Sequence, residues 1–165
     1  MKTRPIPEGY NTLTPYITVI DADKAIEFYK KAFGAKETGR ITMPSGTVGH
    51  CEMDIGSSKI MIAEENKQWG NLSPETLGGS PVHLCLYVEN VDAVFARALQ
   101  EGAKVMGEMA VKDQFYGDRT GTLTDPFGHK WTIMTHLEDV SYTEMQRRTD
   151  EMFQKINNTY KYVKD

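Results

Sequence analysis

An internal repeat is the feature that most constrains how this chain folds. Residues 16–36 read YITVIDADKAIEFYKKAFGAK, and residues 85–104 read CLYVENVDAVFARALQEGAK. Residues 54–65 (DIGSSKIMIAEE) likewise correspond to residues 125–136 (DPFGHKWTIMTH), about seventy residues later. The order strand, helix, further strands is therefore predicted twice. Because a module of this size cannot bury a stable core alone, we expect the two modules to pack together.

Each predicted helix has a cap, an apolar face and a glycine stop. Asp21 or Asp23 caps the first helix and Gly34 ends it, whereas Asn90 caps the second and Gly102 ends it. The apolar positions are Ala22, Ile26, Tyr29 and Phe33 in the first helix, and Val91, Val94, Phe95 and Ala98 in the second. The glycine-rich stretches 44–47 and 116–121 are predicted to be hairpin turns between strands.

Alternation along the predicted strands separates a helix-facing side from an opposite, half-polar side. Leu84, Leu86 and Val88 belong to the helix-facing side. The opposite side collects Thr14, Tyr16, Thr18, Met61, Ala63, His83, Cys85, Tyr87, Thr132 and Met134. A mixed face of this kind is typical of a ligand-lining surface, so we expect a curved sheet with a concave side.

Residues 141–162 form a separate predicted helix. Ser141 and Glu144 have the spacing of a capping box, and the apolar stripe comprises Met145, Met152, Phe153, Ile156 and Tyr160. The stripe fits either docking on the same chain or contact with a second copy. We therefore predict a single domain over residues 1–140, made of modules at about 12–65 and 81–138 joined by the irregular loop 65–80, and a helical extension over 141–165.

Composition excludes several classes of protein. The formal net charge of −4 disfavours nucleic acid as a partner, and no run approaches the roughly 18 apolar residues of a membrane span. The two cysteines, Cys51 and Cys85, are too few for a disulfide framework and have no zinc-finger spacing. They suit a reducing compartment, so a cytoplasmic location is expected.

At the level of motifs the chain resembles a known superfamily. The paired modules, VIDADKAIEFYKKAFGA (19–35) and DPFGHKW (125–131) resemble the vicinal-oxygen-chelate superfamily, also called glyoxalase/bleomycin resistance/dioxygenase. YGDRTGTLTDPFGHKWTIMTHLEDVSYTEM (116–145) is similar to its PhnB-like branch. The resemblance covers about residues 12–155. It implies an α+β fold of two paired βαβββ modules whose curled mixed sheets surround a concave cavity, a small-molecule ligand and a homodimer.

The resemblance also identifies where a metal would be held. In metal-dependent members two ligands come from the first strands and two from the last strands of the modules, which here correspond to Thr14, His83, Met61 and Thr132. Only His83 is a ligand type for Zn²⁺, Ni²⁺ or Mn²⁺. A shifted site could instead combine His83 with the replacement ligands His50, Glu52 and Glu64. The alternative is that His50 and Glu52 are an exposed polar strand face.

No catalytic residue is identified, but a set of pocket-lining residues is predicted: Thr14, Tyr16, Met61, Ala63, His83, Cys85, Tyr87, Tyr116, Arg119 and Thr132. His83 is either functional or a buried, hydrogen-bonded histidine, and Cys85 is either a nucleophile or a packing residue. Arg119 either anchors a carboxylate or phosphate, or fixes its loop together with Asp118. His136 is assigned no role.

Three functional hypotheses follow. The first is a PhnB-like protein that binds a small molecule in the concave pocket without the superfamily metal. The second is a divalent-metal-dependent lyase or isomerase of glyoxalase type with an unusual ligand set. The third is a resistance protein that sequesters a large cationic antibiotic, for which an acidic cleft would be needed.

Overall fold

The computed structural model describes residues 3–162, and their side chains as far as residue 154. The first half contains β1 (Tyr16–Val19), α1 (Ala22–Phe33), β2 (Lys36–Thr42), β3 (Val48–Ile55) and β4 (Ser58–Glu64). A single 3-10 turn (Lys67–Trp69) and the short helix α2 (Pro74–Leu77) lead to the second half. That half contains β5 (His83–Tyr87), α3 (Val91–Gln100), β6 (Lys104–Val105), β7 (Lys112–Asp113), β8 (Asp118–Thr124), β9 (Lys130–His136) and α4 (Tyr142–Tyr162).

The strands form two mixed sheets of related topology. The first sheet has the order β1-β4-β3-β2, and the second has the order β5-β9-β8-β6 with β7 also paired to β8. In each sheet the first strand runs parallel to the last strand of its half, while the other pairings are antiparallel. The predicted α+β fold, with the repeated strand–helix–strands order, is confirmed.

Helix α1 is held at both ends by capping interactions, one of which comes from a distant strand. Asp21 is the cap residue, and its side chain accepts a hydrogen bond from the backbone N–H of Lys24. Glu64, at the end of β4, accepts the backbone N–H groups of Asp21 and Ala22, each at 2.8 Å. Gly34 ends the helix in the left-handed conformation, as predicted. Asn90 caps α3, which ends at Gln100, two residues before Gly102.

One continuous core joins the two halves. The predicted apolar faces of α1 and α3 are buried, together with Ile60, Ile62, Trp131 and Ile133 on the helix side of the sheets. Asp125, in the turn before β9, accepts hydrogen bonds from Tyr29 Oη (2.7 Å) and Trp131 Nε1 (2.9 Å). Because Tyr29 lies on α1, this buried carboxylate ties the first half to the second.

The two glycine-rich stretches that were predicted to be hairpin turns differ in the structure. The turn at 44–47 is present between β2 and β3, with Met43 N donating to Thr47 O at 2.9 Å. Only the start of the stretch 116–121 is a turn: residues 116 and 117 belong to the hairpin between β7 and β8, whereas residues 118–121 are the first part of β8. The preceding turn ends at Gly117, which has a φ of 97°.

Helix α4 begins where the capping box predicts. Ser141 Oγ accepts the N–H of Glu144, and Arg148 bonds to Glu138, Glu144 and the carbonyl of Phe115. These contacts dock the first turns on the second half of the chain, whereas Phe153 is 54% exposed. The side chains of Ile156 and Tyr160 lie outside the described residues. Among residues 3–162, no helix combines the length and apolarity needed to cross a membrane.

Candidate ligand-binding site

The side of the second sheet that faces away from the helices is open. Along β5, Leu84 and Leu86 pack against the core, whereas His83, Cys85 and Tyr87 are exposed. This alternation is the one predicted from sequence. His83 is thus an accessible side chain on the concave face, which corrects the interpretation of it as a buried, hydrogen-bonded histidine. Cys85 is a free, exposed cysteine.

A cavity of about 360 Å³ lies on this face. Three of the predicted lining residues, His83, Tyr116 and Thr132, line it. Its remaining walls are Met109, Ala110, Lys112, Gln114, Thr120, Gly121 and Thr122. The lining therefore contains two basic side chains and several hydroxyl and amide groups, but no carboxylate.

The hydroxyl and amide groups that line the cavity hydrogen-bond to one another. Thr122 Oγ1 and Thr132 Oγ1 are 3.1 Å apart across β8 and β9. Gln114 Nε2 donates to Thr120 Oγ1 at 3.0 Å. Within the described part of the chain, neither Lys112 nor His83 has a carboxylate partner. These two basic groups remain available to a ligand.

A chain of hydrogen bonds crosses the same face beside the cavity. Tyr87 Oη donates to Asp118 Oδ2 at 2.8 Å, and the other carboxylate oxygen of Asp118 lies 2.7 Å from His136 Nδ1. His136 Nε2 lies 3.0 Å from Asp139 Oδ1. The contact with Asp118, followed by that with Asp139, raises the pKa of His136. The hydrogen bond to Asp118 also raises the pKa of Tyr87.

The first sheet carries a second cavity of about 350 Å³ on its corresponding face. Tyr16, Ala63, His50 and Glu64 are among its lining residues. Tyr16 Oη lies 3.2 Å from His50 Nδ1, and the carboxylate of Glu52 contacts both His50 and Lys59. Five of the ten predicted pocket residues are therefore divided between two separate cavities in one chain. The other five line neither cavity: Thr14, Met61, Cys85, Tyr87 and Arg119.

Arg119 lies on the opposite side of β8 from the cavity. Its guanidinium donates two hydrogen bonds to Asp92 on α3 and one to Asp113 on β7, at 2.7–2.8 Å. This placement corrects the expectation that Arg119 lines the pocket, since alternation along β8 directs Asp118 to the concave face and its neighbour to the helices. The contacts support the interpretation that Arg119 fixes local structure, although its partners are Asp92 and Asp113 and not Asp118.

Comparison with known proteins identifies the fold family. The family model of the Glyoxalase/Bleomycin resistance protein/Dioxygenase superfamily matches residues 10–133. This chain belongs to that superfamily. The Mycobacterium tuberculosis protein Rv0887c is 41% identical over 137 residues, which are 81% of this chain and 79% of that protein.

Solved structures agree with the superfamily fold. A PhnB protein from Bacillus cereus, described as a putative 3-demethylubiquinone-9 3-methyltransferase, superposes with a TM-score of 0.59 at 18% identity, covering 76% of this chain and 99% of that one. The fosfomycin resistance protein FosX from Listeria monocytogenes, complexed with Mn(II) and sulfate, superposes with a TM-score of 0.58 at 18% identity. That comparison covers 84% of this chain and 97% of FosX. At these identities the likeness shows the fold alone.

The residues at the superfamily's metal positions do not fit a metal ion within one chain. Thr132 is paired with Thr122, and Thr14 donates to the carbonyl of Asn11. Met61 on β4 supplies only a thioether, a soft ligand that is poorly matched to Zn²⁺, Ni²⁺ or Mn²⁺.

The replacement ligands do not gather around His83 either. His50 and Glu52 lie on the other sheet, and both oxygens of Glu64 bind the start of α1. Among the described residues, no group of three or more His, Cys, Asp or Glu side chains is arranged to hold a metal.

Several cavity residues were missed by the sequence patterns. Lys112 and Gln114 lie in and beside a strand of two residues, too short to show alternation. Thr120 and Thr122 do alternate, but the neighbouring glycines led this stretch to be interpreted as a turn. Tyr87, Asp118 and His136 come from three strands, and their contact depends on the order β5-β9-β8.

Proposed function

We propose that this chain binds a small anionic molecule in the cavity of the second sheet, without the superfamily metal. The observation that carries the proposal is the lining itself, which offers Lys112, His83, three threonine hydroxyls and an amide but no carboxylate. A lysine ammonium has three donors and no acceptor, so it pairs best with a carboxylate or phosphate oxygen. The volume of about 360 Å³ suits a ligand of one ring or a short chain.

The buried carboxylate beside the cavity does not oppose an anion. Asp118 is 5% exposed, and it is engaged by His136, whose raised pKa favours the imidazolium form. His136 therefore offsets the charge of Asp118, while its second partner, Asp139, is fully exposed to solvent. Lys112 supplies a positive charge to the cavity lining that has no carboxylate partner among the described residues.

A large cationic antibiotic fits this lining poorly. Sequestration of such a drug would need an acidic cleft, whereas the described lining of the cavity contains Lys112 and no carboxylate. The Mn(II) and sulfate of the FosX structure belong to that protein, and the residues that the structure describes offer no matching ligand set here. A lyase reaction through a metal is therefore left out of the proposal.

The proposal includes a second copy of this chain as a partner. Tyr16 and Tyr87 are 53% and 60% exposed on the concave faces of the two sheets, and aromatic side chains of this kind are enriched at protein interfaces. The first sheet's face carries the carboxylates of Glu52 and Asp54 beside the amine of Lys59. A two-fold dimer that places this face over the basic face of the partner would cover both cavities.

Binding of benzoate tests the proposal against benzamide, which has the same shape without the charge. We expect benzoate to shift the backbone NMR signals of β5, β7, β8 and β9, and Lys112→Ala to weaken its binding roughly tenfold. Lys31→Ala on α1 is the control, because Lys31 lies on the helix side and pairs with Glu101.

Equal binding of benzoate and benzamide, or no binding of either, would overturn the anion-binding proposal. A parallel titration with Ni²⁺, Zn²⁺ and Mn²⁺ tests the metal. Binding of one ion per chain that is lost in His83→Ala would refute the statement that the superfamily metal is not used.

A further inference from the structure

The series of hydrogen bonds that joins Tyr87, Asp118, His136 and Asp139 fixes the direction in which the Tyr87 hydroxyl can hydrogen-bond. A phenol has a single O–H group, and that of Tyr87 is donated to Asp118 Oδ2 at 2.8 Å. An ionised carboxylate accepts and cannot donate, so the arrangement cannot be reversed while Asp118 carries its charge. The oxygen of Tyr87 therefore presents only lone pairs to a ligand on the concave face.

Asp118 is held in this role from its other side. The carboxylate is almost fully buried, and a buried charge is costly unless it is paired and hydrogen-bonded. His136 supplies the pairing through Nδ1, and Asp139 engages the remaining ring nitrogen. An imidazole flanked by two carboxylates is stabilised as a cation, and a protonated Nδ1 donates to Asp118.

Tyr87 does not line the cavity itself, but strand order and register place its hydroxyl on the same face of the sheet, near Lys112. Tyr87 is on β5, but its hydroxyl reaches Asp118 on β8, so the ring crosses the concave face over β9. Lys112 pairs with Thr120, two residues beyond Asp118 on the same strand. Strand geometry then separates the Cα atoms of Lys112 and Asp118 by about 8 Å. One small ligand can span the ammonium of Lys112 and the oxygen of Tyr87.

We propose that Tyr87 is a specificity-determining residue that accepts a hydrogen bond from the ligand, with Asp118 and His136 as the residues that position it. The inference rests on the proposed function and narrows its ligand class: an anion that also carries an O–H or N–H donor a few ångströms from its charge. Donation by Tyr87 to a carboxylate polarises the phenol, which strengthens its oxygen as an acceptor.

A purely structural role would not require Tyr87. Asp118 and His136 already face each other on β8 and β9 in backbone register, and their contact alone joins these strands. Tyr87 adds a third strand, from the edge of the sheet, while most of its side chain remains exposed. The only hydroxyl proton of Tyr87 is thus donated to the protein, although the rest of the side chain lies on the face where the ligand would bind.

The test compares 4-hydroxybenzoate with 4-methylbenzoate, in which a methyl group replaces the hydroxyl donor at nearly equal size. Dissociation constants are measured by calorimetry or NMR titration for the full chain. We expect the wild type to prefer 4-hydroxybenzoate roughly fivefold. Tyr87→Phe should remove this preference and leave the affinity for 4-methylbenzoate unchanged, whereas the exposed Tyr142→Phe should keep the preference.

Asp118→Asn tests the positioning role through the direction of the hydrogen bond that Tyr87 makes to the ligand. An asparagine amide can donate to Tyr87, so the phenol proton becomes free to point at the ligand. A ligand hydroxyl can accept as well as donate, so this variant is titrated with 4-methoxybenzoate, which only accepts. Its affinity relative to 4-methylbenzoate should rise in Asp118→Asn above the wild-type ratio, with the fold verified by circular dichroism. A structural defect alone would weaken both ligands together.

The outcomes separate the two proposals. If 4-methylbenzoate binds and the wild type shows no preference for 4-hydroxybenzoate, the role of Tyr87 is refuted while the anion cavity stands. A preference that survives in Tyr87→Phe refutes it equally. If neither compound binds, the anion cavity itself is refuted, and the inference about Tyr87 fails with it.

Discussion

Replacement of Asp125 by asparagine should cost this chain a large fraction of its folding free energy. Asp125 is 4% exposed. One of its oxygens accepts Tyr29 Oη and Trp131 Nε1, and the other accepts the backbone N–H groups of Phe127 and His129, each at 2.7–2.9 Å. The four donors come from α1, from β9 and from the turn between β8 and β9, so a single carboxylate holds three parts of the core together.

The magnitude follows from counting the donors that an amide can still satisfy. In Asp125→Asn the amide oxygen can keep the two backbone N–H groups, and the hydroxyl of Tyr29 can rotate to accept from the new NH₂. The indole N–H of Trp131 cannot, so one buried donor loses its acceptor and faces another donor. With the charge-assisted bonds lost as well, we expect a destabilisation of about 2–4 kcal/mol. Tyr29→Phe removes one donor and leaves three, so about 1–2 kcal/mol is expected.

Urea denaturation followed by tryptophan fluorescence measures both changes, at one fixed protein concentration because an associating chain unfolds in a concentration-dependent way. With a slope of about 2 kcal/mol per molar urea, Asp125→Asn should lower the midpoint by about 1–2 M. Asp150→Asn, on an exposed position of α4, is the matched control and should change stability by less than about 0.5 kcal/mol. An Asp125→Asn variant as stable as this control would refute the argument that the carboxylate joins the halves.

Three further predictions concern pH, backbone geometry and assembly. Contact with Asp118 raises the pKa of His136 above its ordinary value of 6.5, so the stabilisation that His136 gives the fold is complete below pH 6.5 and is lost as the pH rises through the raised pKa. The difference in thermal midpoint between wild type and His136→Gln should therefore shrink from pH 6 to pH 9. A difference that grows over this range would contradict the prediction. Gly117→Ala should destabilise by about 2 kcal/mol or more in urea titrations, since a Cβ at this φ of 97° meets the carbonyl of Glu138, whereas Gly39→Ala, with open space around it, should be close to neutral. Analytical ultracentrifugation should give twice the chain mass, with Tyr16→Glu shifting the equilibrium toward the monomer; a wild-type monomer at micromolar concentration would exclude the dimer.

The parts of the fold that local chemistry decides could be predicted from the sequence. The cap at Asp21, the stop at Gly34 and the buried faces of α1 and α3 depend on residues within one helix. The concave placement of His83 depends only on alternation within β5. In each case the interactions that fix the structure lie within about ten residues of one another, so the pattern carries the information.

The stretch around Gly121 shows why the rest could not be predicted. Two glycines within residues 116–121 suggest a turn, but Gly121 lies inside β8 for a different reason. A Cβ there would lie 2.7 Å from Cε2 of Phe95 and 2.8 Å from Cγ2 of Val111. The glycine makes room for helix α3 to pack on the strand, which is a tertiary requirement that no local pattern expresses.

The candidate site divides neighbouring motif residues between two functions. Asp118 and Arg119 are adjacent in the stretch YGDRTG (116–121), yet alternation directs the first to the concave face and the second to α3. The guanidinium of Arg119 already donates to Asp92 and Asp113 through all three of its nitrogens, so it does not offer a ligand anion a bidentate contact. The positive charge that faces the cavity comes instead from Lys112, on a strand that pairs with the same β8. Strand β8 therefore contributes to the ligand face through the strands that pair with it. The charge that would bind a ligand, on Lys112 of β7, lies outside the stretch 116–121.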